Sequence, residues 1–520
     1  MNSEYILAID AGTGSCRAVL FDIEGNQKAI EQKEWSHDEL SKYPGSQVFD
    51  TKENWESIRH CIQKVIRNNE IDPAAIRAVS STSMREGMVL YNEKDEEIWA
   101  CPNVDGRARE EARFLIENNF AEEIYKESGD WISITSPSRF LWLKNNEPEI
   151  YKKTKKMTMI SDWILFKLSG EFATDCSVGS SSGLFNIRER VWSSNIANLL
   201  ELAKTILPEV YESGTVIGTV HSQAAEDTGL LAGTPVVLGG ADTQMGLTGI
   251  KRIHPGDLTI VGGSFWQTTV VSDTPLIDKE KRLRTLCHSV PNKWMVEGIG
   301  FYCGLTMRWF RDAFCDLEIE RAEERKVDPY VLMEELAAKV PPGSNGVTGI
   351  FSNIMDAKRW IHASPSFLQF DIDNPSHSGK KECIRAIQES AAYISNGHLK
   401  IIEELTEKNL RNIVFTGGGA KGQLWSQIIA DVLGANVSVP KVKESSSLGT
   451  AIYAGIGAGI YTSVDSAFEE KKAIEKVYFP NPENYQLYCE LFDRWLKIYA
   501  RSLELVEQKL TRPLWRANGL

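Results

Sequence analysis

Apolar residues return along this chain at two spacings. Short runs at residues 78–82, 88–91, 235–238, 258–261, 268–271 and 412–416 are apolar or β-branched and are bounded by polar or glycine-rich stretches, which predicts strands. Elsewhere the apolar positions recur every three or four residues. Ile58, Ile62, Val65 and Ile66 form such a face within 55–68, and Ile384, Ile387, Ala391, Ile394 and Ile401 form another within 383–405. A last helix is predicted over about 485–510, with Tyr488, Leu491, Trp495, Ile498 and Leu505 as its core-facing stripe. The glycine-rich apolar segment 449–461 predicts a buried helix, and the acidic run 318–326 predicts a solvated helix face. Strands and helices alternate through much of the chain, so the fold class is α/β.

The opening run, Tyr5-Ile-Leu-Ala-Ile-Asp10, turns through Gly12 and Gly14 into a second strand, Arg17-Ala-Val-Leu-Phe-Asp22, and Gly25-Asn26 makes the next turn. Asp257-Leu-Thr-Ile-Val-Gly262-Gly263-Ser264 and the apolar stretch after it repeat that strand, glycine turn and strand. Two such hairpins, each opening an α/β unit, predict a duplicated domain with the boundary near Gly249. The expected division is 1–249, 250–484, and a C-terminal helix and tail at 485–520 packing on the core, with a ligand in the cleft between the two units.

With 520 residues the chain exceeds what one core usually supports. Its formal charge is −13, from 71 acidic and 58 basic side chains, which argues against nucleic acid and anionic membrane as partners. The first residues, Met1-Asn2-Ser3-Glu4, lack the basic start of a signal peptide, and no run is long enough to span a bilayer. The nine cysteines are scattered without a CxxC pair. A reducing compartment, the cytoplasm, and no structural metal are expected.

Chemistry concentrates at strand ends. Beside Asp10, the turn offers backbone amides, the hydroxyls of Thr13 and Ser15, and the Arg17 guanidinium, a set suited to a phosphate chain with a divalent cation. Gly262-Gly263-Ser264 offers a second, weaker set. Gly417-Gly418-Gly419-Ala420-Lys421-Gly422 leads from a strand into a helix and fits GxGxxG. A dinucleotide site also needs an acidic residue ending the next strand, whereas 436–440 ends in Pro440 followed by Lys441; there is no GxxxxGK[ST] either. In Leu238-Gly239-Gly240-Ala241-Asp242, a carboxylate follows a strand, where Asp242 either caps a helix or accepts a proton from a hydroxyl, with the glycines keeping the approach open. Arg85 and Glu86, and Asp105 with Arg107, set guanidinium and carboxylate side by side, either as surface ion pairs or as readers of a polyhydroxyl compound.

Taken in this order, Asp10-Ala-Gly-Thr-Gly-Ser-Cys-Arg17, Gly239-Gly-Ala-Asp242, Gly263-Ser264, Gly304-Leu-Thr-Met-Arg-Trp309 and Gly417-Gly-Gly-Ala-Lys-Gly-Gln-Leu-Trp425 resemble the FGGY carbohydrate kinases. The resemblance covers essentially the whole chain. It implies two duplicated domains of the actin/hexokinase-like (ribonuclease H-like) ATPase type, closing over ATP, Mg2+ and a small polyhydroxy substrate. By motif position, Thr13, Gly14, Ser15 and Arg17 would meet the β- and γ-phosphates from one wall and Gly263 and Ser264 from the other. Gly304, Gly418 and Gly419 would line the nucleotide pocket, with Asp10 near the metal. Asp242 would be the catalytic base, and Arg85, Glu86 and Asp105 would bind substrate.

Within the family, the stretches Ser83-Met-Arg-Glu-Gly-Met-Val-Leu-Tyr-Asn92 and Ile98-Trp-Ala-Cys-Pro-Asn-Val-Asp105 resemble the members that act on linear 4,5-dihydroxypentane-2,3-dione, and that resemblance implies phosphorylation of its terminal 5-hydroxyl. A pentulose is the alternative within the family, and an ATPase switch or sugar sensor the alternative outside it. A chaperone-type switch needs a further domain after the last helix, where only 511–520 follow, and a sugar-responsive repressor needs a DNA-binding module before Tyr5. Two departures stand out. Asn103 occupies a position where many relatives carry a Trp, and no Asn follows Gly422 on the adenine side. The family also allows a homodimer and control by a phosphotransferase-system carrier protein.

Overall fold

The computed structural model describes residues 4–354, 360–442, 444–467, 474–517 and 519; residues 1–3 of the N-terminal segment read above lie outside them. Two mixed sheets organise the chain. The first is built from β1 (Tyr5–Ala11), β2 (Ser15–Asp22), β3 (Gln27–Glu34), β4 (Ile76–Ser83) and β5 (Pro235–Ala241), with Val216–Thr219 on its edge. The second contains β6 (Leu258–Gly262), β7 (Trp266–Ser272), β8 (Arg284–Cys287), β9 (Trp294–Gly300), β10 (Asn412–Thr416) and β11 (Asn436–Pro440), with Ile474–Tyr478 on its edge.

The duplication read from the glycine turns is carried by the topology. In the first sheet β1, β2 and β3 form an antiparallel meander, β4 runs parallel to β1, and β5 runs parallel to β4. In the second, β6, β7 and β9 form the meander, β10 runs parallel to β6, and β11 runs parallel to β10. The strands predicted from sequence all form, each three residues longer than its apolar run in the cases of β4, β5 and β7.

Alternation along β1 explains why its run is continuously apolar. Leu7 and Ile9 face a core made with α1 (Thr51–Arg67) and α2 (Ile160–Ser169), where Ile58, Ile62, Val65, Ile164 and Leu168 are buried. Ile6 and Ala8 face the opposite side, so both faces of the sheet are dry. Asp50 starts α1 by accepting from the amides of Lys52 and Glu53, each at 2.9 Å. The first half ends in α3 (Asp242–Gly249), and the second contains α4 (Lys380–Thr406), α5 (Gln423–Leu433), α6 (Ser445–Gly457) and α7 (Pro482–Glu507).

The stripe of α7 differs from expectation. Tyr488 and Trp495 are buried, but Leu505 is 43% exposed, and Phe492, Tyr499, Leu503 and Val506 complete the buried face. The expected stripe advanced by about 3.5 residues per turn and drifted off a straight helix that turns every 3.6. The acidic run also departs in one residue. It lies on the helix Asp316–Arg325, yet Glu318 is buried and accepts from Lys380 Nζ at 2.8 Å.

The helix predicted at 449–461 is α6, and it packs against the first sheet although it comes late in the chain. Leu448, Ile452 and Tyr453 fill the face formed by Ile6, Ala8, Val19, Ala78 and Val237. To reach it, α6 crosses α3 at backbone contact. A Cβ on Gly449 would lie 1.9 Å from the Met245 carbonyl oxygen, and one on Gly249 would lie 2.0 Å from that of Ser445. Among the described residues no helix is long and apolar enough to cross a membrane.

This crossing yields a stability prediction. Gly449→Ala should lower urea-unfolding stability by about 2 kcal/mol or more, because backbone must move to admit the methyl. Gly246→Ala, where the nearest atom is Ser446 Oγ at 3.4 Å, should stay within about 1 kcal/mol of wild type.

Candidate active site

Three adjacent parallel strands of the first sheet end together, and each end carries charge. Asp10 of β1 and Gly240 of β5 both align with Thr82 of β4. Asp242 therefore leaves β5 at the same edge as Asp10, and Arg85 and Glu86 leave β4 between them. Open α/β sheets bind ligands at this carboxyl edge.

Asp10 is buried and lies opposite Arg17 in the β1–β2 register. Arg17 Nε is 3.9 Å from Asp10 Oδ2, and Arg17 Nη1 donates to Glu444 Oε2 at 2.5 Å. Burial raises the Asp10 pKa to about 6; the neighbouring carboxylates Asp242 and Glu444 add to the rise and Arg17 opposes it. Asp242 is the first residue of α3, with Ala241 in the capping position, and its Oδ1 accepts from the Thr243 amide at 2.6 Å and from Thr243 Oγ1 at 3.2 Å. Burial lifts its pKa as well, against the attraction of Arg85.

The glycines before Asp242 serve packing, which corrects their reading as an open approach. A Cβ on Gly239 would lie 2.0 Å from the Ser81 carbonyl oxygen, and one on Gly240 would lie 2.6 Å from Ser177 Oγ. The Thr13 hydroxyl, in the turn that includes Gly14 and Ser15, donates to Asn103 Oδ1 at 3.1 Å. That bond ties the turn to the loop bearing Asp105.

Arg85 and Glu86 are 8% and 4% exposed, so they are not surface pairs. Arg85 Nη1 donates to Glu297 Oε2 at 3.1 Å. Glu86 has φ 61°, a left-handed backbone, and its carboxylate accepts from Arg284 Nη2 at 2.7 Å. Arg284 also donates to Asp130 Oδ2 at 2.6 Å. Asp105 is held more tightly than expected of a substrate reader: Oδ1 accepts from the Gln47 amide and from Arg107 Nε, both at 2.7 Å. Its Oδ2 is buried without a hydrogen-bond partner, 3.8 Å from Arg139 Nε. Arg139 joins the two polar clusters, donating to the carbonyls of Glu86 and Pro102.

The second sheet presents two glycine turns at the equivalent edge. Gly263 and Ser264 follow β6, and Gly417, Gly418 and Gly419 follow the parallel neighbour β10. Gly417 has φ +87°, and a Cβ there would lie 2.8 Å from the Gly262 carbonyl oxygen, so the turns press on each other. A Cβ on Gly304 would lie 2.0 Å from the Gly263 carbonyl oxygen, and one on Gly419 would lie 3.1 Å from the Phe415 ring; Gly418 has nothing nearer than 3.9 Å. Gln267 of β7 donates to Thr243 Oγ1 at 3.4 Å, linking this hairpin to the residue after Asp242.

Arg284, Glu297, Asp130, Arg139 and Glu444 escaped the sequence reading. A signal existed for two of them: Arg284 and Glu297 stand inside the otherwise uncharged runs Arg284–Cys287 and Trp294–Gly300. Asp10 and the adjoining oxygens are a hard donor set of the kind Mg2+ prefers. Among the described residues no three Asp, Glu, His or Cys side chains converge on one point as ligands. An ion beside Asp10 would therefore take water and phosphate oxygens among its ligands.

Residues 5–249 match the N-terminal domain of the FGGY family of carbohydrate kinases, and residues 260–458 match its C-terminal domain. The chain belongs to that family. It is 45% identical over 519 residues to an autoinducer-2 kinase of Escherichia coli K12, covering 99% of this chain and 98% of that one. It is 43% identical over 522 residues to an autoinducer-2 kinase of Salmonella paratyphi A, covering 100% and 98%. Among solved structures it shares the fold of a ligand-bound xylulose kinase from Lactobacillus acidophilus, with TM-score 0.86, 22% identity, and 98% and 100% coverage. A glycerol kinase from Plasmodium falciparum with ADP gives TM-score 0.83, 20% identity, and 96% and 98% coverage.

The buried charges predict a pH dependence. Burial raises the Asp130 pKa to about 6, against the pull of Arg284. The folded protein therefore binds a proton there that the unfolded chain releases near pH 4, and this contribution to stability is lost as pH rises through about 6. Asp130→Asn lacks it. Comparing urea unfolding at pH 5 and 7.5, the wild type should lose about 1.4 kcal/mol relative to Asp130→Asn. An unchanged difference between the two pH values would place the Asp130 pKa near that of an ordinary carboxyl.

Proposed function

We propose that this kinase transfers the terminal phosphoryl group of ATP to the 5-hydroxyl of linear 4,5-dihydroxypentane-2,3-dione, the linear form of autoinducer-2. The observation that carries the chemistry is the row of strand ends, which sets Arg85 and Glu86 between the buried carboxylate of Asp10 and the half-buried carboxylate of Asp242. Full-length identity of 45% to autoinducer-2 kinases supports the substrate, and Asn103 supports it too, since a polar side chain bonded to Thr13 stands there instead of an apolar platform for a sugar ring.

In this reading Asp242 accepts the proton of the 5-hydroxyl as that oxygen bonds to the γ-phosphorus and the bond from phosphorus to the bridging oxygen breaks, leaving ADP. Its raised pKa strengthens it as a base. Arg85 and Glu86 hold the carbonyl and hydroxyl oxygens of the substrate, and Asp105 shapes their loop. Thr13, Gly14, Ser15 and Arg17 bind the β- and γ-phosphates from the first half, Gly263 and Ser264 from the second, and Gly304, Gly418 and Gly419 border the nucleotide. Mg2+ near Asp10, when bound, neutralises phosphate charge.

Asp242→Asn should lower kcat by about 100- to 10,000-fold in a coupled ADP assay and leave the KM for ATP within a few-fold. Near wild-type turnover in that variant removes Asp242 as the base. For the substrate, kcat/KM should be highest for the dione among the dione, D-xylulose, L-ribulose and glycerol. A tenfold preference for D-xylulose, about 1.4 kcal/mol of transition-state discrimination, overturns the assignment and favours a pentulose kinase.

A further inference from the structure

We propose that Arg284 and Glu297, carried by the second sheet, are positioning residues for Arg85 and Glu86, so that the substrate-reading groups of one half are aimed by the other. The inference rests on the reading that Arg85 and Glu86 hold the substrate. Arg284 and Glu297 face each other in the antiparallel register of β8 and β9, which puts them on one side of the sheet. That side meets the first half: Glu297 takes the Arg85 guanidinium, and Arg284 takes Glu86 together with Asp130. All five side chains are buried.

The backbone around them admits little play. On one edge β8 pairs with β9; on the other, the Thr285 amide donates to the Gly129 carbonyl at 2.9 Å and the Cys287 amide to Ser180 Oγ at 3.0 Å. Tyr125 Oη donates to the Leu283 carbonyl at 2.6 Å, and Trp294 Nε1 to that of Ile187 at 2.7 Å. A Cβ on Gly129 would lie 2.3 Å from the Thr285 carbonyl oxygen. The strand is thus bonded to both halves, and its charged residue cannot shift without moving Glu86. Buried charges in contact are strongly coupled, because each lost partner leaves the other uncompensated. Glu297 Oε1 and Arg284 Nε also lie buried without hydrogen-bond partners, so the network retains an acceptor and a donor beside the two readers.

The test is a double-mutant cycle read in steady-state kinetics, using the alcohol on which the wild type has its highest kcat/KM. Glu297→Gln keeps the shape and removes the charge. It should lower kcat/KM for the alcohol by about tenfold or more and leave the KM for ATP within about threefold. In an Arg85→Lys background the same change should cost less than about threefold, since the group it positions is already altered. Arg284→Lys, which keeps charge but not the fork, should show the same split between alcohol and ATP. If Glu297→Gln fails to fold, Arg284→Lys carries the test, with melting temperatures confirming the fold. Equal losses for alcohol and ATP, or equal losses with and without Arg85, assign both residues a structural role and overturn the proposal. A wild type that prefers D-xylulose overturns the dione reading alone, and the cycle is then read on D-xylulose.

Discussion

The structure depends on holding carboxylates of like charge close together, with little water, at one edge of the first sheet. Asp10 is buried and Asp242 half-buried, loss of water raises the pKa of both, and the Asp242 carboxylate adds to the rise of Asp10. In isolation that arrangement opposes folding. It persists because guanidinium groups stand beside it: Arg17 faces Asp10 across the hairpin, and Arg85 attracts Asp242. Each of those guanidinium groups is itself fixed by a second carboxylate, Glu444 for Arg17 and Glu297 for Arg85. The charged site is therefore a chain of pairs, and in both cases the far member comes from late in the sequence.

Duplication supplies the frame for this chain of pairs. Two sheets with the same meander and the same two parallel additions place their glycine turns at equivalent edges. They are then fastened where α3 crosses α6, at the contact of Gly249 with Ser445 and Gly449 with Met245. Side chains on both helices enter the core beneath β1 and β4, so the crossing also closes one face of the first sheet. Other glycines near the site serve close packing within each half: Gly239 and Gly240 in the first and Gly304 and Gly417 in the second have no room for a Cβ because protein backbone or side chain already occupies the space.

Much of this was legible in the sequence because periodicity is local. The strands, the amphipathic helices and the repeat of strand, glycine turn and strand each lie within a short window. Asp10, Asp242, Arg85 and Glu86 could be singled out because each sits at the end of an apolar run. Arg284, Glu297 and Glu444 could not be assigned, because what makes them matter is a partner 427 positions away in the case of Arg17 and Glu444, and 212 in that of Arg85 and Glu297. The face of α7 was misread for a different reason. Its true stripe follows 3.6 residues per turn from Tyr488 to Val506, and a slightly shorter repeat accumulates enough error to put Leu505 in water.

The central claim is that these carboxylates and glycine turns move a phosphoryl group onto an alcohol rather than onto water. Phosphorus NMR of the protein with ATP, Mg2+ and the dione tests this most directly, because it resolves every phosphorus species at once. The account predicts one new phosphomonoester for each ADP formed, with inorganic phosphate a minor product, and little ADP when the alcohol is left out. ADP and inorganic phosphate appearing in equal amounts, with no ester signal for any of the four alcohols, would contradict it.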